Sequence, residues 1–312
     1  MRVAVFGVGA VGGYFGGRLA RRGNAVIFIA RGETLRALRR DGLRVDSPNG
    51  DIHLPEVEAT DAIEKVGAVD AVLVTVKAWQ VPEAAEAIRP LVTPRTAILP
   101  LQNGVEAADQ LAEVHGRQQV LAGTCGIVAM KVAPGHVKHV GVDPFIALGH
   151  LDNHSSEQAT ALLETLLQAG IGAHIPDDIH TSIWKKFLFI APVSGVGAVA
   201  RAPLGVVRSV PETRELIVEA MREVSALAAA KEITLPADAV EKATAFLDDV
   251  AAEATSSMQR DIMEGRPSEL ESINGAVVRI GQAVNVPTPV NRFIYASLLP
   301  MEREAREHRK AS

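Results

Sequence analysis

The chain opens with RVAVFGVGAVGGYFGGRLARRG, residues 2–23, and few stretches constrain a fold as tightly. A short apolar run gives way directly to Gly7, Gly9 and Gly12 in the spacing G-x-G-x-x-G, and then to a helical pattern. Strand, glycine turn and helix in that order form the context in which this spacing carries meaning. Gly7 permits the tight turn, Gly9 lets a phosphate chain approach the backbone, and Gly12 lets helix and strand pack closely. The turn Gly7, Val8, Gly9, Ala10, Val11 and Gly12 is therefore the expected cradle for a pyrophosphate, held by backbone N–H groups and the helix dipole. Gly12, Gly16 and Ala20 recur every fourth residue and predict a small-residue stripe against a sheet.

The rest of the first half keeps alternating: AVIFIAR then ETLRALRRDG, AVDAVLVTVK then VPEAAEAIRPLV, RTAILPLQ then VEAADQLAEVHG. Apolar strands between helices indicate a parallel sheet covered on both faces. Further strand-like pieces are QVLAGTCGIVAM, GHVKHVG, PFIALGH and IGAHIP, with a helix at SEQATALLETLLQAG. Beyond about residue 177 the pattern turns helical, over 177–191, 211–232, 236–252, 256–264, 268–285 and 289–306. The reading is an α/β, Rossmann-type nucleotide domain over 1–176 and an all-α domain over 177–312. A length of 312 residues suits two domains.

Which dinucleotide binds is decided at the end of the second strand, where NAD binders usually carry an acid for the ribose hydroxyls. Here AVIFIAR ends in Arg31, a guanidinium able to hold a 2′-phosphate in a bidentate grip. Glu33 comes two residues later and suits the start of the next helix. The expected cofactor is NADP. In open α/β sheets, ligands lie beyond the carboxyl ends of the strands. Lys77 stands at one such end, and Gln102-Asn103-Gly104 at another.

Two adjacent lysines interrupt the apolar stretch TSIWKKFLFIAPVSG, residues 181–195. On a helical wheel, Ile179, Ile183, Phe187 and Ile190 share one arc. Lys186 borders that arc and Lys185 falls outside it. A partly desolvated ammonium gives up its proton more readily, which suits proton donation near neutral pH. Downstream, SELESINGAVVR follows Pro267. Ser268 and Glu271 match the S-x-x-E capping box, which gives Glu271 a structural role. Glu269 lacks one and borders the apolar arc of a helix over 268–285, so it is the candidate site acid. SSMQRDI adds hydroxyls at Ser256 and Ser257.

With these pieces in order, the chain resembles the 2-dehydropantoate 2-reductase (ketopantoate reductase) family over nearly its whole length. The residues that carry the resemblance are GVGAVGG, LVTVKAWQ, LQNGVE, IWKKF, SSMQRDI and SELESINGAVVR. The resemblance implies a Rossmann domain followed by a helical domain of the 6-phosphogluconate-dehydrogenase C-terminal type. It implies NADPH-dependent reduction of 2-dehydropantoate to pantoate, in the cytoplasm, on the route to pantothenate and coenzyme A. By motif it places the proton donor on Lys186 and a second catalytic acid on Glu269. Cofactor contacts fall on Arg31, Lys77, Asn103, Ala129 and Glu269, besides the glycine turn. Substrate contacts fall on Asn103, Lys186, Ser194 and Ser257. Where the family often carries further asparagines, this chain has Ile190, Ser194 and Leu204. Losing amides that bond a hydroxylated substrate points to a more apolar pocket or to a different 2-oxo acid. A binding protein that senses NADPH without turnover is the alternative from another class, and the lysine and glutamate speak against it.

Composition excludes several other classes. A net charge of −5 leaves no electrostatic footprint for nucleic acid or an anionic membrane. No run of about 18 uninterrupted apolar residues occurs, so no transmembrane span is expected. The N-terminal apolar run is short, glycine-broken and part of the nucleotide motif, unlike a signal peptide. The single cysteine, Cys125, sits in an apolar run and reads as a small buried hydrophobe. His150 and His154 are four apart, but GHLDNHSS reads as a polar loop, so no metal site is expected. The C-terminal helices could pair two copies into a homodimer or simply complete their own core.

Overall fold

The computed structural model describes residues 1–311, which divide into two compact units. The first comprises Met1–Gln102 and Ala107–Ser182, and the second comprises Asn103–Glu106 and Ile183 onward.

The first unit contains strands β1 (Arg2–Phe6), β2 (Ala25–Ile29), β3 (Leu43–Asp46), β4 (Ile52–Leu54), β5 (Glu58–Thr60) and β6 (Ala71–Val74). After these come β7 (Ala97–Pro100), β8 (Leu121–Gly126), β9 (Ala129–Ala133), β10 (His136–His139), β11 (Phe145–His150) and β12 (Gly172–His174). Its helices are α1 (Ala10–Arg21), α2 (Gly32–Asp41), α3 (Val81–Ala87), α4 (Ala107–His115) and α5 (Glu157–Gln168). The main sheet has the order β5-β2-β1-β6-β7 and every pairing in it is parallel. The strand order reverses at β1, which puts the glycine turn at the topological switch point where α/β sheets bind ligands.

Two smaller sheets depart from the all-parallel expectation. β11 pairs antiparallel with β8 and parallel with β12, and a parallel bridge from Ile98 to Val120 leads from β7 toward β8. The third sheet, β4-β3-β10-β9, is built from short, partly exposed strands; β10 lies within the strand-like piece GHVKHVG and β9 overlaps the end of QVLAGTCGIVAM, whereas β3 and β4 fall where no strand was expected. It explains the glycine pairs of α1. A Cβ on Gly16 would lie 2.6 Å from Phe28 and 3.0 Å from Val5 in the main sheet. One on Gly13 would lie 2.7 Å from Val137, and one on Gly17 3.2 Å from Leu43, both in the third sheet. Helix α1 is thus gripped between two sheets and carries a glycine ridge for each, where one stripe was expected. Cys125 is buried in this core, in keeping with its reading as a small hydrophobe.

The second unit is helical: α6 (Ile179–Ala200, whose first turn belongs to the first unit), α7 (Leu204–Ser209), α8 (Pro211–Ala230), α9 (Ala239–Asp249), α10 (Ser257–Met263), α11 (Asn274–Ala283) and α12 (Pro289–Ala311). Its core gathers Trp184, Phe187 and Leu188 of α6 with Ile217, Met221 and Val224 of α8 and Ile294 and Leu298 of α12.

Helix α7 falls where no helix was expected, and among the shifted helix boundaries two bear on the site. Helix α6 does not stop at residue 191 but runs through Pro192 to Ala200. Proline inside a helix costs about 3 kcal/mol, yet Pro192 is buried within the packed helical unit and the helix continues through it. Asn274 Nδ2 donates to the Ala191 carbonyl at 3.1 Å. Gly195 then allows α6 close to Asn274 and Ile294, where a Cβ would sit 2.7 Å from each. Helix α11 begins at Asn274 rather than 268, and residues 269–273 form turns. Among the described residues α6 is the one helix whose length and composition would let it cross a membrane. The same criterion is met by the core helix of a soluble protein, and α6 buries Trp184, Phe187, Leu188 and Ala191 in the helical core.

Candidate functional site

In the first unit, the glycine turn is held in shape by its own backbone and by Thr75. Gly7 has φ +101°, a left-handed conformation that favours glycine, and a Cβ there would lie 2.7 Å from Val76. Its N–H donates to the Ile29 carbonyl at 3.1 Å. Thr75 Oγ1 donates to the Gly7 carbonyl at 2.6 Å, and a Cβ on Gly12 would strike these same two groups. Gly9, the N-cap of α1, faces open space. No side chain caps this helix and its first turn carries no acid, so its N–H groups and positive dipole end are left for an anion. The cradle is therefore closed where the turn must be rigid and open where a pyrophosphate would approach. The residues present fit a dinucleotide.

Around the cradle stand the other expected nucleotide residues of this unit. Arg31 follows β2 as the N-cap residue of α2; its side chain is 65% exposed and its Nη1 lies 2.9 Å from Glu83 Oε1. Glu33 sits in the first turn of α2 and is paired with Arg36, first through a hydrogen bond and then through charge, which hold its carboxyl below the usual range. Lys77 is half-buried, a few residues beyond β6, and N-caps a short 3-10 turn. Ala129 opens β9 opposite His139. Gln102 is buried, and its Nε2 donates to the carbonyls of Val74 and Val76 at 2.8 and 3.0 Å, which pins the loop after β6 to the end of β7.

In the second unit the decisive pair is Asn103 and Glu269. Asn103 Nδ2 donates to Glu269 Oε2 at 3.3 Å, and Glu269 is only 5% exposed. The segment carrying Asn103 fits tightly against the turns after Glu269. Gly104 has φ +101° and its Cβ position lies 2.6 Å from the Ser272 carbonyl, while Glu106 pairs with Arg279 at 2.9 Å.

The expected capping box does not form. Ser268 Oγ accepts from Leu270 N at 3.1 Å and donates to Glu302, and Ser268 N also donates to Glu302. Glu302 is 1% exposed and pairs with Arg306 Nε at 2.6 Å. Glu271 instead accepts from Tyr295 at 2.8 Å and from Arg279 at 3.2 Å. Burial and then the Glu271 hydrogen bond push the Tyr295 hydroxyl above its ordinary pKa. Glu269 is thus the buried acid, although the helical wheel that favoured it assumed a helix this segment lacks.

Helix α6 presents Lys186 half-buried and Lys185 exposed, the order the wheel predicts. Ser194, two turns on, is buried. Ser257 opens α10 half-buried, and its neighbour Ser256 is the N-cap, accepting from Gln259 N at 3.0 Å. The structure brings Asn103 and Glu269 into hydrogen-bond contact, and it places Lys186, Ser194 and Ser257 in the same unit. Thr75 and Glu302 had no signal in the sequence, because each acts through a partner far away along the chain, and Ser268 was read as a capping residue although its main partner is Glu302.

Comparison with known proteins gives the arrangement its context. Residues 3–153 match the family model described as "Ketopantoate reductase PanE/ApbA", and residues 178–302 match its C-terminal counterpart. The chain belongs to the ketopantoate reductase family. A 2-dehydropantoate 2-reductase of Mesorhizobium japonicum is 30% identical over 93% of this chain and 94% of its own length. The crystal structure of a 2-dehydropantoate 2-reductase from Geobacter metallireducens superposes with a TM-score of 0.90 at 32% identity, covering 96% of this chain and 99% of that one. A D-mandelate dehydrogenase solved with NADH and anilino(oxo)acetate shares the fold, with a TM-score of 0.89 at 24% identity over 98% and 99% of the two chains. As a member of the ketopantoate reductase family, this protein is a pyridine-nucleotide oxidoreductase of Rossmann type that acts on a small keto acid.

Proposed function

We propose that the protein reduces the C2 carbonyl of 2-dehydropantoate to the hydroxyl of pantoate, with NADPH as reductant. The observation that carries this reading is the buried Glu269 bonded to Asn103, in the unit that also holds the half-buried Lys186. When bound, NADPH would supply the hydride that C2 receives. Lys186 Nζ gives a proton to the carbonyl oxygen as it becomes a hydroxyl, and the resulting amine takes a proton back from water. Glu269 and Asn103 bind and orient the substrate, each fixed by the other, and Ser194 and Ser257 add hydroxyl contacts. The Gly7–Gly12 turn would hold the pyrophosphate and Arg31 the 2′-phosphate, with Lys77 and Ala129 as further nucleotide contacts. These residues supply position and charge, while the hydride chemistry belongs to the cofactor. The reading assigns residues 1–176 to the nucleotide and 177–312 to the substrate. It places the enzyme in the cytoplasm, in pantothenate and coenzyme A synthesis, with a small 2-oxo acid as its partner and no nucleic-acid or membrane partner.

A second reading, a reductase of another 2-oxo acid, is favoured by one feature. Ile190, buried Ser194 and core-packed Leu204 stand where amides would read a hydroxylated substrate. A panel of 2-oxo acids assayed with NADPH and with NADH separates the possibilities. The highest kcat/KM with 2-dehydropantoate and NADPH supports the first reading. A higher value with an unhydroxylated branched or aromatic 2-oxo acid supports the second. Tight NADPH binding with no oxidation across the panel overturns both.

A further inference from the structure

The turn after β11 reads as a polar loop in sequence, yet the first unit builds it firmly. Asn153 takes a left-handed conformation, φ 56°, and its N–H donates to the His150 carbonyl at 2.9 Å. Its side chain is anchored twice, accepting from Ile179 N at 3.0 Å and donating to Asp178 at 3.0 Å. This reversal carries His154 back over His150, and the two imidazole centroids lie 3.6 Å apart. Asp152 completes the group: one ligand atom from each of the three residues lies within 4.8 Å of the other two.

We propose that His150, Asp152 and His154 form a binding site for a divalent transition-metal cation, with Zn2+ the best match. Imidazole and carboxylate donors suit Zn2+ and its neighbours, whereas Mg2+ and Ca2+ call for oxygen alone.

Each donor is prepared for the role. His150 is 2% exposed, and the lone pair of its Nδ1 accepts from Asp152 N at 3.3 Å, a long bond that a bound ion would replace. The same Nδ1 lies 3.9 Å from Asp152 Oδ2. The other ring nitrogen, Nε2, is buried and has no hydrogen-bond partner. Asp152 is oriented by Arg117, which donates to Oδ1 at 2.7 Å and leaves Oδ2 toward His150.

A tetrahedral ion about 2.1 Å from each donor brings donors to about 3.4 Å of one another. Asp152 and His154 are exposed and can close that distance by side-chain rotation, whereas His150 is fixed in the core. Water would fill the remaining coordination. The ion would clasp the turn between β11 and α5, a structural role separate from the proposed reduction.

The test is calorimetric titration of the tag-free full chain with zinc chloride, beside His154→Ala and Asp152→Asn. Both substitutions fall on exposed side chains, so folding is preserved, and circular dichroism confirms it. The expected result is one Zn2+ per chain with micromolar or tighter affinity, weakened at least about tenfold in each variant. Co2+ should give a tetrahedral visible spectrum with the wild type, and His154→Ala should lose it. Absence of stoichiometric binding to the wild type, or unchanged affinity in both variants, overturns the site.

Discussion

Asn103 reaches Glu269 across 166 residues of sequence, its amide donating to the carboxylate at 3.3 Å. A carboxylate this buried depends on its donors, since losing one leaves charge poorly solvated. Glu269→Gln keeps the shape and removes the charge. The expected outcome is a fall of about 100-fold in kcat/KM for the oxo acid, with thermal unfolding little changed, read from steady-state kinetics and calorimetry.

Lys185 and Lys186 offer a paired control on one helix turn. Lys186→Ala is expected to lower kcat by about 10²–10⁴-fold while NADPH affinity, measured by fluorescence titration, stays near wild type. Lys185→Ala, which alters an exposed side chain, should leave both unchanged. Near-wild-type kcat in Lys186→Ala would remove it from the role of proton donor.

Arg31 has an exposed partner in Glu83, and such pairs hold weakly. A 2′-phosphate carries more charge and is the stronger competitor for the guanidinium. Arg31→Ala should cut kcat/KM for NADPH by about tenfold or more and leave the value for NADH almost unaltered. Glu83→Gln frees the arginine and should lower the KM for NADPH a few-fold at most. Equal losses with the two cofactors in Arg31→Ala would mean that Arg31 does not read the phosphate.

Glu302 holds Ser268, the residue before Glu269, through both N–H and hydroxyl, and is itself held by Arg306. Glu302→Ala strands a buried amide, a hydroxyl and part of a guanidinium. Breaking a buried pair from one side costs about 3 kcal/mol or more, which urea unfolding should register. Because the same turn carries Glu269, kcat/KM should fall as well, even at temperatures where the variant is fully folded.

Asp178, at the start of α6, provides a pH test of stability. Burial alone would push its carboxyl up, but hydrogen bonds from Thr181 and Asn153 and from the Thr181 and His180 backbone outweigh burial, so the folded carboxyl sits below the usual range. A depressed carboxyl stabilises above the unfolded-state pKa, near 4, and that contribution disappears as pH falls through the lower folded value. Asp178→Asn should therefore be less stable than wild type at pH 7, with the gap narrowing below about pH 4. A gap independent of pH would assign the effect to packing.

The sequence made the parallel sheet readable because β2, β6 and β7 are fully apolar runs set between helices, β1 is apolar after Arg2, and the glycine turn fixed where β1 ends. The third sheet was readable only in part. HVKH lies within the strand-like piece GHVKHVG, whereas LRVD and IHL are too short and too polar to declare themselves, and the sheet packs on glycines that α1 offers it. Local helix signals misled twice for one physical reason. Pro192 should stop a helix and Ser268 should start one, but Asn274 and Glu302 reached those positions from elsewhere in the chain. Lys186 was separable from Lys185 by periodicity alone. Glu269 was singled out because Glu271 already had a role to play, and although that role proved different, it still left Glu269 as the buried acid.

The four residues Asn103–Glu106 group with the second unit although their neighbours on both sides belong to the first. This makes the two halves poor currency for recombination. A graft that begins at Ile183 inherits Glu269 and Arg279 but leaves behind Asn103 and Glu106, the groups that answer them, and the small Gly104 that fits against Ser272. Any lineage, or any engineer, exchanging the helical half to change the substrate would have to carry this short loop along with it, so the unit of inheritance for specificity is discontinuous in sequence.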